Sequence, residues 1–326
     1  MKKKHHAWLW WIVLALWLVV AGVGYMDTQT DAKTSSSTKT VRIGYQKGDI
    51  FDIARIQGGF AKRMKQKGYR VVWKEFQTGA ALLTALNSGK LDYGRTGNTP
   101  PITSQASGSK LVYVGAASSR ANSSGLLVSK TSSAKTIKDL KGKKIAYSKG
   151  SSSQYLLLKL LAKAGMSAND IKWVDLDPGA ASTAFSQGKV DAWVVWDPYV
   201  ASAQVTQNAK LIESASSVNT TDRDFILATS TYAKKHTKTS STLLSELETS
   251  MEWANRHHTT LIKDLSSALS LDKKVVTKMV DRRRYSVSGM TQAIVKEQQD
   301  IADTLAKAHD ISGDIDVSKA VLTTSQ

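Results

Sequence analysis

Three stretches of small polar residues are the best candidates for contact with a ligand: Gln46-Lys47-Gly48, Arg95-Thr96-Gly97-Asn98-Thr99 and Lys149-Gly150-Ser151-Ser152-Ser153. In each, an apolar run precedes and a helix-period segment follows. That order leaves free backbone N–H groups and side-chain hydroxyls at a helix N-terminus, where the peptide dipole favours an anion. Pro100 and Pro101 remove two backbone donors from the second of these helices. An anion there is expected on the N–H groups of Gly97, Asn98 and Thr99, with the Thr96 or Thr99 hydroxyl. A Ser-rich loop also serves as a plain N-cap, so one such loop says little. Three in one chain favour an oxyanion site.

Other chemistries are restricted by what is missing. The chain has no cysteine, which excludes disulfides, thiolate-bound metals and a thiol nucleophile. Its histidines are His5, His6, His236, His257, His258 and His309, with none between Val41 and Lys235. A Ser–His pair or histidine-bound metal built wholly within that region is therefore excluded. Asp191 and Asp197 are the best-spaced acids, but each has a structural explanation. Asp197 precedes Pro198 as a helix cap, and Asp191 ends a Gly-Lys turn before a strand. Arg282, Arg283 and Arg284 read by default as a solvated helix face, with a permease-docking patch or a cleft-rim contact as the alternatives.

The elements that must hold the three loops alternate as in parallel α/β folds. Strands are expected at Val41–Tyr45, Val71–Glu75, Leu91–Gly94 and Leu111–Ala116, then at Lys144–Tyr147, Ile171–Val174 and Val190–Val195. Ile53, Ile56, Phe60 and Met64 mark one face of a helix that Gly68 stops. Further helices are expected at Ala80–Asn87, Ser152–Ala164 and Gly179–Gln187, and a new unit opens near Gly125. After Thr229 the pattern is mostly helical, with Leu244–Leu265 the longest segment.

Residues 1–25 read as a signal peptide or transmembrane anchor. Lys2, Lys3 and Lys4 precede an uncharged apolar run from Ala7 to Tyr25, about long enough to cross a bilayer. Small residues at Ala21, Gly22 and Gly24 leave cleavage open, but an uncleaved anchor is the preferred expectation. Residues 26–40, rich in Ser, Thr and Lys, read as a flexible linker. The body is thus expected outside the cytoplasm, anchored to the cell membrane or secreted. The formal charge of +18 then suits an anionic envelope surface or the steering of an anionic ligand, and no nucleic acid is expected.

Four stretches carry a resemblance to a known family: VRIGYQKG (41–48), LDYGRTGNTPPITSQASGSKLVYVG (91–115), IKDLKGKKIAYSKGSSSQYLLLKLL (137–161) and FSQGKVDAWVVWDPY (185–199). The chain resembles the aliphatic sulfonate-binding proteins of ABC importers, within the wider group for sulfonate, nitrate and taurine. The resemblance implies an α/β periplasmic-binding-protein type II fold, two lobes joined by a hinge. Lobe one would take 41–125 plus 226–326, and lobe two 126–225. Ligand would lie between them at strand C-termini, held by Gln46, Lys47, Thr96, Gly97, Asn98, Thr99, Gly150, Ser151 and Ser152. Asp191 and Trp193 of the DAW motif would stand at the cleft wall, with Trp193 either against the ligand's carbon chain or buried in the core, and Trp196, on the opposite face of the strand, in the core.

Three departures from the family pattern stand out. Asn98 replaces a common acid, which would favour a more anionic ligand. Arg95 replaces a small residue, as a sulfonate-pairing cation or a solvent-exposed one. Gln154 replaces a histidine and removes a pH-sensitive contact. The implied function is capture without a reaction: no catalytic residue, cofactor or metal, with an alkanesulfonate as ligand and an ABC permease and its ATPase as partners. Taurine, nitrate and a pyrimidine vitamin precursor are the alternative ligands on the same fold. A vitamin-biosynthesis enzyme is the more distant alternative.

Overall fold

The computed structural model describes residues 38–322. One mixed sheet holds β1 (Lys39–Tyr45), β2 (Tyr69–Glu75), β3 (Tyr93–Gly97), β4 (Leu111–Ala117), β10 (Asp224–Thr229) and β11 (Val287–Ser288), in the order β11-β4-β10-β3-β1-β2. The other holds β5 (Ser124–Val128), β6 (Lys144–Tyr147), β7 (Lys172–Asp175), β8 (Ala192–Trp196) and β9 (Lys210–Ser214), in the order β7-β6-β8-β5-β9. Helices α1 (Ile50–Gln57), α2 (Gly59–Gln66), α3 (Gly79–Asn87) and α4 (Thr99–Ala106) alternate with the first sheet's strands. Helices α5 (Ser152–Lys163), α6 (Pro178–Ser186) and α7 (Tyr199–Thr206) alternate with those of the second. Helices α8 (Ser230–Lys235), α9 (Thr237–Arg256), α10 (His258–Leu269), α11 (Lys273–Asp281) and α12 (Gln292–Lys307) follow β10.

Each sheet contains an antiparallel strand for the same geometric reason. β1 and β3 run parallel, whereas β10 runs antiparallel to both β3 and β4. In the other sheet β6 is parallel to β7 and β8, and β5 is antiparallel to β8 and β9. The chain leaves β4 at its C-terminal end, crosses to the second sheet, and must enter β5 from that same edge. It returns from the end of β9 to β10 in the same way. The C-terminal edges of the parallel strands therefore meet the two crossover segments, and the polar loops are gathered there.

Both faces of each sheet are covered, as parallel strands require. Alternate residues of β8 feed different cores: Ala192 and Val194 pack with Ile145, Leu156 and Leu160, while Trp193 and Val195 pack with Ala181, Phe185 and Val200. Full burial of side chains of this size stabilises the fold by about 1.5–3 kcal/mol each.

Two expected helices are each divided. The apolar face from Ile53 to Met64 runs across α1 and α2, which meet at Gly58 with φ 76°. Glycine takes this left-handed conformation without a Cβ clash, and Ile53, Phe60 and Met64 still reach one core. The segment 244–265 is likewise split into α9 and α10 at His257, whose φ and ψ of −128° and 45° are not helical. Among the described residues no helix is long and apolar enough to cross a membrane. The expected anchor or signal peptide at 1–25 and most of the expected linker lie outside the described residues.

Candidate functional site

The two crossover segments run side by side at the C-terminal edges of the sheets. Arg120 N donates to Thr221 O at 3.0 Å, and Ser119 Oγ to the same carbonyl at 2.9 Å. The first crossover is also tied to the chain after α11, where Ser118 N donates to Ser286 O at 3.0 Å and Ser118 Oγ to Arg284 O at 2.6 Å. These bonds fix Arg120, which is only 5% exposed, at the meeting point of both sheets.

Here Gly97, at the end of β3, faces Arg120 and the first residue of α5. A methyl group on Gly97 would stand 3.4 Å from an Arg120 Nη and 3.5 Å from Ser152 Oγ. The missing side chain thus leaves a recess of about 20 Å³ between a guanidinium and a hydroxyl. Gln46, Arg95, Ser151 and Trp196 complete much of its wall. Ser151 caps α5, its Oγ accepting from Ser153 N at 3.2 Å and donating to Ser148 O at 2.7 Å. The amide of Ser152 at position N1 has no carbonyl of its own helix to meet. Backbone N–H, hydroxyl and guanidinium donors therefore converge from both sheets on one small volume, a donor set matched to an oxyanion.

A balanced charge network supports the recess. Asp224 lies at its centre: it accepts from Arg95, lies 3.0 Å from Arg120 Nε, and has an Arg283 Nη at 3.9 Å. Arg120 also donates to Asp222 O at 2.8 Å, and Arg95 lies 3.7 Å from Asp49. Burial alone would raise the Asp224 carboxyl, but Arg120, Arg95 and Arg283 hold it below the usual carboxylate range. Asp49 is different. Burial pushes it up to about 7, against the pull of Arg95 and of the Gln46 and Asp52 amides. Three arginines thus face three aspartates, one of which exchanges its proton near neutral pH. Protonation of Asp49 leaves the cluster with a net positive charge, the state that suits an anion.

The recess opens beside a cavity of about 220 Å³, with Gln46 and Trp196 lining both. Phe76, Tyr199, Leu269 and Leu271 give this cavity apolar walls, and Lys47, Gln77, Ser182 and Ser202 give it polar points. An anion cradle beside a partly apolar chamber suits a ligand with a charged head and an organic tail. Among the described residues, no group of three or more His, Asp or Glu is placed to hold a metal ion.

The arrangement agrees with what the chain is similar to. Residues 64–259 match the NMT1/THI5-like family. A Bacillus subtilis protein named for binding aliphatic sulfonates is 32% identical over 95% of this chain and 93% of its own length. The chain belongs to the aliphatic sulfonate-binding protein family. The periplasmic aliphatic sulphonate binding protein SsuA from Escherichia coli superposes with a TM-score of 0.82 at 33% identity, over 89% of this chain and 94% of that one. The alkanesulfonate-binding protein SsuA from Xanthomonas axonopodis pv. citri, bound to MOPS, gives 0.83 at 32% identity, over 88% and 99%. The fold is thus the α/β periplasmic-binding-protein fold with two mixed sheets.

Of the family-derived residues, Gln46, Gly97, Ser151 and Ser152 meet at the recess, and Lys47 lines the larger cavity. The others flank it. Thr96 Oγ donates to Gly97 O at 2.9 Å and Thr99 Oγ to Asn98 Oδ1 at 3.2 Å, so both hydroxyls are spent within their own loop. Asn98 caps no amide with its side chain and lines a separate small cavity beside Gln298. The Gly150 N–H is occupied by Gln154 Oε1 at 2.6 Å, so Gln154 closes the serine loop on itself.

Asp191 and Trp193 stand elsewhere. Asp191 precedes β8 at its N-terminal end, where it accepts from Lys144 N at 2.8 Å, at the opposite edge from the recess. Trp193 is 1% exposed and packs edge-on against Tyr199 and beside Phe185 in the core. Trp196, expected in the core, is the tryptophan that lines both the recess and the cavity. Both faces of β8 are covered, so position along the strand, not the alternation of faces, decides which indole reaches the recess. Arg95 is buried at 2% exposure, which excludes the solvent-exposed alternative. Arg120 escaped sequence reasoning, because its value comes from Asp222 and Asp224, a hundred residues away.

Proposed function

We propose that the chain captures an aliphatic sulfonate outside the cytoplasm and delivers it to an ABC permease driven by its cytosolic ATPase. The observation that carries this reading is the convergence of Gly97, Arg120 and Ser152 on a recess that shares Gln46 and Trp196 with a neighbouring cavity walled by Phe76 and leucines. A sulfonate stays ionised at any physiological pH, so its desolvation must be offset by donors already in place. The Arg120 guanidinium, the Ser152 hydroxyl and the amides at the start of α5 would supply them. The organic tail would lie along Trp196 in the larger cavity. The names of the relatives support this ligand class.

In this reading the chain is a type II binding protein, with residues 41–125 plus 226–326 as lobe one and 126–225 as lobe two. The paired crossovers, bound through Arg120 and Thr221, would act as the hinge. Closure around the ligand would be the state the permease reads. The apolar run from Ala7 to Tyr25 would hold the body at the membrane; mature protein that begins near Tyr25 would refute this. The experiment for the function is calorimetric titration of residues 36–326 with ethanesulfonate, longer alkanesulfonates, taurine, nitrate and sulfate. Submicromolar binding of an alkanesulfonate, with nitrate and sulfate silent, is the expected result. Tighter binding of taurine or of nitrate would move the ligand assignment within the same fold.

A further inference from the structure

The Arg282–Arg283 pair after α11 divides its two side chains between different tasks. Arg283 turns inward, donating to Gly48 O at 3.4 Å and facing Asp224 within the buried network of the first sheet. Arg282 turns outward and crosses to the second sheet. Its Nη groups donate to Gln204 Oε1 on α7 at 2.9 Å and to Asn122 O at 3.3 Å, and its Nε lies 3.6 Å from Asp197 Oδ2. Asp197 is buried at the C-terminal end of β8, beside Trp196, and this Oδ2 has no hydrogen-bond partner. Burial raises the Asp197 carboxyl against the pull of Arg282.

The same segment of chain also walls the ligand cavity. Leu269 and Leu271, just before α11, form one side of it, and Trp196, Pro198 and Tyr199, which flank Asp197, form the other. Arg282 therefore bridges the two walls from behind without lining the cavity. Separation of the lobes would break its contacts with Gln204 on α7 and with Asp197, while the bond to Asn122 stays within lobe one, and would leave Asp197 without its nearest cation. We propose that Arg282 is an interlobe latch: a positioning residue that holds the α11 wall against the α7 wall and so sets how long a ligand remains bound, without touching it. This rests on the reading of the cavity as the ligand's, and the test separates the two.

The absence of cysteine allows clean spin labelling of Lys274→Cys on α11 and Thr206→Cys on α7, both exposed. Distances between the labels are measured with and without butanesulfonate in otherwise wild-type protein and in the Arg282→Ala, Arg282→Lys and Gln204→Ala backgrounds. Stopped-flow binding of butanesulfonate is followed in parallel. Arg282→Ala should lengthen and broaden the label distance and raise the dissociation rate about 10- to 100-fold with little change in association. Gln204→Ala, which removes a partner from the other side, should move both in the same direction by less, and Arg282→Lys should recover part of the loss. A label distance unchanged by Arg282→Ala and Gln204→Ala overturns the latch, whatever happens to affinity. Failure of the wild-type chain to bind butanesulfonate would instead sink the ligand assignment, with the latch still judged by the distances.

Discussion

Substitution of Gly97 by alanine should separate ligand capture from folding. The new Cβ would lie 3.4 Å from an Arg120 Nη, 3.5 Å from Ser152 Oγ and 3.8 Å from Ser152 Cβ. These are ordinary contacts with side-chain atoms, and Gly97 does not have a left-handed φ. The fold should therefore accept the methyl group, with stability within about 1 kcal/mol of wild type. An oxyanion has no such tolerance. The methyl occupies the space from which a sulfonate oxygen would reach both Arg120 and Ser152. Loss of even one charge-assisted hydrogen bond costs about 1.5–3 kcal/mol. Affinity should fall at least about 10-fold, and about 100-fold or more if both bonds go. Calorimetric titration with butanesulfonate reads the affinity, and thermal unfolding reads the stability. A Gly97→Ala variant that binds as tightly as wild type would place the anion elsewhere and refute the assignment of the recess.

The two tryptophans of β8 should respond in opposite ways. Trp193→Ala empties a fully buried core position and should cost about 3–5 kcal/mol of stability, whereas Trp196→Ala should cost less stability but weaken long-chain sulfonates more than ethanesulfonate. Equal losses for all chain lengths in Trp196→Ala would remove the tail from this wall. Asp49 predicts a pH dependence. Its folded carboxyl holds a proton up to about 7, while the unfolded one releases it near the ordinary carboxylate range. The folded state then binds more protons across that window, so Asp49's contribution to stability declines as pH rises through it. A bound anion favours the protonated form further, so binding should take up protons near pH 7 and weaken toward pH 8. Titration in two sulfonate-free buffers of different ionisation heat measures this uptake, and equal heats in both would contradict it.

What sequence reasoning reached and what it missed divide by the range of the interactions involved. The loops at Gln46, Gly97 and Ser151 were legible because Gly, Pro and Ser mark strand-to-helix junctions locally, and the strand C-termini are where such junctions gather. The family resemblance supplied the ligand class. The antiparallel return of β10 was not legible, since its partners β3 and β4 lie more than a hundred residues earlier. The charge network was hidden for the same reason: nothing local marks Asp49 or Arg120, and it is Asp224 that brings Arg95, Arg120 and Arg283 together. The sequence expectation of a strand over Val190–Val195 takes in Asp191, whereas β8 begins one residue after it and ends at Trp196 beside the recess. Strand alternation distinguishes the two indoles by face, but it is position along β8 that brings Trp196 to the cavities.

In the proposed complex the anion lies between Gly97, Arg120 and Ser152 with its tail along Trp196. A crystal of the chain grown with butanesulfonate, measured at a long wavelength, locates the ligand sulfur by its anomalous signal. A single strong peak is expected within hydrogen-bond reach of Arg120 and Ser152, with carbon density running toward Trp196 and Tyr199. A peak beside Lys47 or Asn98, with the recess at Gly97 filled by water, would contradict it.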